Sequence, residues 1–169
     1  QYYLGNTAIL VTVLRNAQGC GVRIIDFAPR FKRYERIYRP PMLVRRLEPF
    51  GGTPLIRVRI RPSLSYNAAT LLKTFSSNHI RYIGPDFILR LTTDAPIPYI
   101  AEEHAFSLAA PVQFILGPDE TVPDSLTHLV HDFQERTQGY WIEWSRYLSI
   151  PFEWQDVVIR AAITLKLCC

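Results

Sequence analysis

Long apolar runs are missing from this 169-residue chain. The stretch Ala8–Leu14 is interrupted by Thr12, and no segment reaches the length that a bilayer-spanning helix requires. No secretory n-region and h-region precede the first pattern. Cysteine is scarce as well. There are three, Cys20 and the neighbouring Cys168 and Cys169, with no C-x-x-C and no Cys/His metal spacing. An odd count with two adjacent thiols excludes a disulfide scaffold and a zinc module, and leaves reduced thiols in a cytoplasmic protein as the plain reading. Acids are nearly absent from residues 1–61, where eleven arginines and Lys32 meet only Asp26, Glu35 and Glu48. Residues 94–156 invert this balance, with eleven acids against Arg136 and Arg146. Such a split fits a nucleic-acid face, two halves that pack against each other, or packing against a remainder of the chain.

Apolar residues make up 48% of the chain, with nine Phe, nine Tyr and three Trp, which is enough to build a core and excludes disorder. The sequence opens at Gln1 and stops at Cys168-Cys169 inside an apolar pattern, so it reads as a piece of something longer. Its first two thirds carries strand signals. Eight segments are expected to be strands: Thr7–Arg15, Val22–Phe27, Leu43–Glu48, Leu55–Arg61, Ile80–Ile83, Phe87–Thr93, Ala105–Leu108 and Val112–Leu116. Gly19-Cys20-Gly21 and the stretch from Pro49 to Pro54 around Gly51-Gly52 read as hairpin connections. Gly84-Pro85-Asp86 and Ala109-Ala110-Pro111 read as turns, and residues 29–41 as a basic loop bounded by Pro29 and Pro40-Pro41. In the fourth strand Arg57, Arg59 and Arg61 alternate with Ile56, Val58 and Ile60, so one face is buried and the other is cationic. Short strands with turns at regular spacing argue for an antiparallel β-sandwich.

The period then changes. Leu126, Leu129, Val130, Phe133, Thr137, Tyr140, Trp141 and Trp144 recur at helical spacing after Pro123-Asp124-Ser125. Pro151 ends that helix, and a second begins near Glu153. It carries a stripe of Trp154, Val157, Val158, Ala161, Ala162 and Leu165, and has Ile159, Ile163 and Leu167 elsewhere on the wheel. A helix apolar almost all round belongs inside a larger helical assembly and predicts an exposed apolar patch here, holding several of Ile159, Ile163, Leu167, Cys168 and Cys169.

The polar constellations carry no assigned chemistry. Glu102-Glu103-His104 is the most tempting acid–base cluster, but neighbours on an extended segment point to opposite sides, so it reads as a solvated strand end. His128, His131, Asp132 and Glu135 have metal-ligand spacing on one helix, yet sit opposite its apolar stripe with no second cluster to complete a shell. Gly51-Gly52 joins two strands and opens no helix, unlike a phosphate cradle. Trp141, Trp144 and Trp154 could stack on sugars, but aromatics at helical spacing are more often core. No G-x-S-x-G, G-x-G-x-x-G or H-E-x-x-H occurs, and no catalytic, cofactor-binding or metal-ligating residue is assigned.

Three segments together resemble one family. Gly21–Pro29 is similar to a strand of the N-terminal β-sandwich of glycoside hydrolase family 15. The run from Leu43 through Leu47, then Gly51-Gly52, then the alternating strand ending at Arg61-Pro62 with Tyr66, resembles that family's following hairpin. Thr137, Tyr140-Trp141 and Trp144, followed by Val158–Leu167, resemble its linker helix and the first helix of its (α/α)6 barrel. The barrel-entry motif commonly reads R-S-A-x-x-L-K-x-L, and here Ala161 follows Arg160 where Ser is common.

This resemblance implies a mainly β fold, an antiparallel, supersandwich-like β-sandwich followed by two α-helices. Residues 1–120 would be the sandwich, incomplete at its N-terminus. Residues 121–150 would be the linker helix and 151–169 the first helix of the truncated barrel. It implies a glucoamylase-like or trehalase-like enzyme that cleaves α-glucosidic bonds with inversion, without a cofactor, on an α-glucan, oligosaccharide or trehalose. Its two catalytic glutamates would lie in the barrel outside this chain, so the piece itself would be inactive and would pack on the barrel. A homo-oligomer is compatible with this, whereas a nucleic acid or a membrane is not an expected partner. The alternatives are a stand-alone carbohydrate-binding β-sandwich, or a nucleic-acid-binding sandwich resting on Arg57, Arg59 and Arg61.

Overall fold

A computed structural model describes residues 1–64, 71–122, 125–150 and 153–168. The fold is mainly β. Eight strands form one antiparallel sheet in the order β1-β2-β3-β6-β12-β10-β9-β8. They are β1 (Tyr2–Tyr3), β2 (Leu10–Arg15), β3 (Gly21–Phe27), β6 (Leu43–Phe50), β8 (Leu72–Phe75), β9 (His79–Ile83), β10 (Ile88–Thr93) and β12 (Val112–Pro118). Two ribbons stand apart from this sheet. One pairs β4 (Phe31–Arg33) with β5 (Arg36–Tyr38), and the other pairs β7 (Leu55–Arg57) with β11 (Ala105–Ser107). Helices α1 (Ile97–Ala101), α2 (Leu126–Arg146) and α3 (Gln155–Leu167) complete the described residues.

Strand alternation builds two cores, one on each face of the sheet. Val22, Leu47, Leu91 and Phe114 point to one side, where Phe106 of β11 and Ile97 and Ile100 of α1 close over them. Ile25, Phe27, Val44 and Ile115 point to the other side and meet Val130 and Phe133 of α2. The helical stripe read from the sequence is the face that α2 buries or half-buries, and Ser125 takes the N-cap position. Pro123, Asp124, Pro151, Tyr66 and Cys169 lie outside the described residues.

All eight expected strand segments contain a strand, and the differences have local causes. Residues 29–41 form a hairpin rather than a loop: Tyr34 and Glu35 both take left-handed backbone angles, as a two-residue type I′ turn requires. No Gly or Asn marks that turn. The hairpin is held because Phe31 and Tyr38 pack at a tilt against Phe133 of α2, with ring centroids 5.4 and 5.8 Å from it. The Gly51-Gly52 turn does not make a hairpin of its flanking strands. It carries the chain from β6 in the large sheet to β7 in the ribbon, and β7 pairs with β11 instead. A Cβ on Gly51 would fall 2.4 Å from the Gly19 carbonyl oxygen, so this crossing needs glycine. Pairing of β7 stops at Arg57, although the in–out alternation continues through Arg61. Helix α1 was not expected, because Pro96 and Pro98 bracket its start and obscure so short a pattern.

Candidate functional site

Two surfaces and one polar cluster stand out once the fold is assembled. The first surface is α3. Ile163, wholly buried, and Ile159 pack with Trp141 of α2, also wholly buried, and Trp144 meets Trp141 edge to face at 5.7 Å. Arg30, on the connection from β3 to β4, fastens the same joint. Its backbone N–H donates to Thr137 Oγ1 at 3.2 Å, and its Nη1 donates to the Lys166 carbonyl at 2.8 Å. The guanidinium lies over the Trp141 ring at 5.6 Å. Arg160 holds the other flank, 3.9 Å above the Tyr3 ring, with Nη2 donating to the Gly5 carbonyl.

The opposite face of α3 is exposed. Trp154 is 76% exposed, Val157 64% and Leu165 70%, with Ala161 exposed between them. Val157, Ala161 and Leu165 follow i, i+4 and i+8, so they form one stripe along the helix, and Trp154 is exposed at its N-cap with a left-handed φ of 66°. An apolar patch was expected on this helix, and the structure has one. Its position differs from the expected one, because Ile159 and Ile163 turn inward and the longer stripe stays outside.

The second surface is a cleft of about 810 Å³ between the segment Pro54–Ile60 and the exposed part of the large sheet over β2, β3 and β6. Its walls are apolar, with Leu14, Leu43 and Leu55 exposed in it. Arg15, Arg45, Arg57 and Arg59 supply cationic groups along its lining. Arg45 is committed to Asp26, donating from Nε and Nη2 at 2.6 and 2.9 Å. Arg59 lies 3.4 Å from Glu103. Among the described residues, Arg15 and Arg57 have no carboxylate within ion-pair distance.

The polar cluster lies on the α2-facing side of the β9–β10 pair. Arg90 is buried and approaches Asp119 Oδ1 at 3.4 Å, while Arg81 binds the same carboxylate through two N–H donors. Arg90 Nε donates to Thr92 Oγ1 at 3.1 Å, and its Nη2 lies 3.1 Å from His79 Nδ1. The hydrogen bonds from Arg81 hold the Asp119 carboxyl below its usual range. Desolvation first, then the Arg90 and Arg81 charges, lower the His79 imidazole. Asp119 has both oxygens occupied, and this arrangement ties the β12 end to β9 and β10.

The residues singled out in the sequence separate in space. Glu102 and Glu103 sit on the turn after α1, not on an extended strand end, and Glu103 has a left-handed φ of 55°. Glu102 lies 3.3 Å from His104, whereas Glu103 accepts from Arg61 Nε and Nη2 at 2.6 and 2.5 Å. Two of the three arginines in the cationic stripe therefore share one acid, and Lys32 reaches Glu143 of α2 at 3.7 Å. Contacts of this kind place the basic and acidic halves of the chain against each other. On α2, His131 pairs with Glu135 and Arg136 with Asp132, and no group of three metal-ligating side chains gathers among the described residues. Trp141 and Trp144 are packed in the α2–α3 joint, while Trp154 is not core at all.

No family model, curated protein or solved structure matches the chain. Among the described residues no helix is long and apolar enough to cross a membrane. The cleft and the Arg30 anchor were not anticipated from sequence. Arg30 had one available signal, an arginine directly after Pro29 at the end of a strand, but its partner is 136 residues away.

Proposed function

We propose that this chain is the sandwich-and-linker part of a family 15 glycoside hydrolase, a glucoamylase-like or trehalase-like enzyme that cleaves α-glucosidic bonds with inversion in the cytoplasm. In such an enzyme one glutamic acid protonates the leaving oxygen and a second glutamate activates a water. Both would come from a helical barrel outside these residues, and no side chain of this chain is given either role. The part played here is to support that barrel and present its first helix.

The observation that carries this reading is the two-sided nature of α3. One side is anchored by Ile159, Ile163 and the Arg30 hydrogen bond, so the helix is held in a fixed place. The other side leaves Trp154, Val157 and Leu165 in water, each forgoing roughly 1.5–3 kcal/mol of burial. Neighbouring barrel helices would cover that stripe, and the motif of a barrel-entry helix, Arg160-Ala161-Ala162 with Leu165-Lys166, lies on this same element. A free carbohydrate-binding module draws less support. It needs aromatic rings in a row, and the exposed Tyr34, Phe75, Tyr147 and Trp154 sit on separate parts of the chain.

The test is the coding sequence beyond Cys169. A continuation with twelve-helix periodicity and two glutamates supports the proposal, and a stop codon or a non-helical continuation overturns it. The chain alone should release no glucose from maltose, maltotriose or trehalose above a buffer blank.

A further inference from the structure

The ribbon of β7 and β11 has an open edge, and its geometry identifies which backbone groups are free. The Pro54 carbonyl accepts from the Leu108 N–H at 2.9 Å, and the register then opposes Leu55 to Ser107, Ile56 to Phe106 and Arg57 to Ala105. Hydrogen-bonded and non-bonded pairs alternate in an antiparallel ladder. Pro54 and Ile56 therefore face β11, while Leu55 and Arg57 turn their N–H and C=O groups the other way. Among the described residues no strand pairs with β7 on that side. Along it lies the 810 Å³ cleft, floored by the β2–β3–β6 face where Leu14 and Leu43 are exposed.

We infer that the free edge of β7 is a strand-addition site, and that its occupant is an extended peptide alternating apolar and acidic residues. Three independent features specify that occupant. The unpaired backbone groups of Leu55 and Arg57 call for another β-strand rather than a compact ligand. The added strand would turn alternate side chains toward the apolar floor of the cleft, which has room for them. Its remaining side chains would lie on the outer face beside Arg57, which among the described residues has no carboxylate within ion-pair distance. A second copy of this chain fits poorly, because its own β7 and the residues that follow, 55–61, contain no Asp or Glu to set beside Arg57. The inference rests on the edge and the cleft and stands apart from the glycosidase reading.

The experiment uses the whole 169-residue chain and two labelled, end-capped octapeptides, one alternating valine with glutamate and one alternating valine with lysine. Fluorescence anisotropy should show saturable binding of the glutamate peptide below about 1 mM, and binding of the lysine peptide weaker by about tenfold. Arg57→Gln should weaken the glutamate peptide severalfold. Arg57→Pro removes the edge donor without touching a β11 hydrogen bond, so it should abolish binding while the melting temperature holds. Should that variant fail to fold, hydrogen exchange in the unmodified chain decides: the amides of Leu55 and Arg57 should slow when peptide is added. Equal binding of both peptides, undiminished binding to Arg57→Pro, or unslowed exchange at both amides overturns the proposal. So does binding of laurate in the cleft without peptide binding, which would make it a pocket for an amphiphile.

Discussion

The guanidinium of Arg30 caps the C-terminus of α3 by donating to the carbonyl of Lys166 at 2.8 Å, across 136 residues of sequence. Last-turn carbonyls of a helix lack intrahelical donors and carry the negative end of its dipole, so a buried cation is well placed there. Arg30 is 8% exposed and has no carboxylate within ion-pair distance among the described residues. The helix terminus and the faces of Tyr140 and Trp141 serve in its place. Arg30→Ala should therefore destabilise the chain by about 1.5–3 kcal/mol, the range for a hydrogen bond to a charged group. Urea denaturation measures the loss, and faster amide exchange confined to α3 would show that the joint itself has loosened.

The exposed stripe of α3 should behave differently. Val157→Glu with Leu165→Glu alters side chains already in water, so folding stability should change by less than about 0.5 kcal/mol. Self-association, followed by sedimentation equilibrium, should fall. Deleting α3 altogether is a poorer test, since removal of Ile159 and Ile163 would uncover the wholly buried Trp141.

Gly21 is required by close approach rather than by a turn. A Cβ there would lie 2.2 Å from the Leu14 carbonyl oxygen and 2.6 Å from the Phe50 ring. Gly21→Ala should cost about 1–3 kcal/mol as the β2–β3 and β3–β6 pairs shift, read as a lower urea midpoint at unchanged slope.

Stability should fall on acidification in two stages. The folded-state pKa of His79 is lowered, so the fold favours the neutral ring. Below about 6.5 the unfolded chain gains a proton that the folded chain resists, and stability declines. The Asp119 pKa is also lowered, by Arg81 above all, and its contribution is lost as pH falls below about 3.9 and through the folded value. Asp94 opposes the second stage, because burial raises its carboxyl. Denaturation midpoints between pH 8 and 3 check this, and His79→Gln should flatten the upper stage alone.

The eight expected β segments and the α2 stripe were legible in the sequence because alternation and helical spacing are local signals, whereas the short edge strands β1 and β8 were not expected. From Arg57 to Arg61 the alternation even outlasts the ladder, since burial follows the pleat while pairing depends on β11. The β4–β5 hairpin escaped because Tyr34 and Glu35 adopt left-handed angles without Gly or Asn, held there by aromatic packing from α2. Which face of α3 turns inward was also hidden. Two apolar stripes compete on that helix, and the choice is made by Trp141 and Arg30, distant in sequence. The cleft is a property of how β7 crosses the large sheet, and no residue pattern encodes that separation.

Glucose release by the longer polypeptide tests the central claim most directly. The chain should be expressed with the coding sequence that follows Cys169 and given maltose, trehalose and a soluble α-glucan, with the anomer of the first glucose followed by proton NMR. The account predicts that at least one substrate yields β-glucose, the product of inversion, and that Val157→Glu with Leu165→Glu lowers the yield by disturbing the packing of α3. A folded polypeptide that releases no glucose from any of them, or that frees the terminal glycosyl unit of the soluble α-glucan as α-glucose, would contradict it.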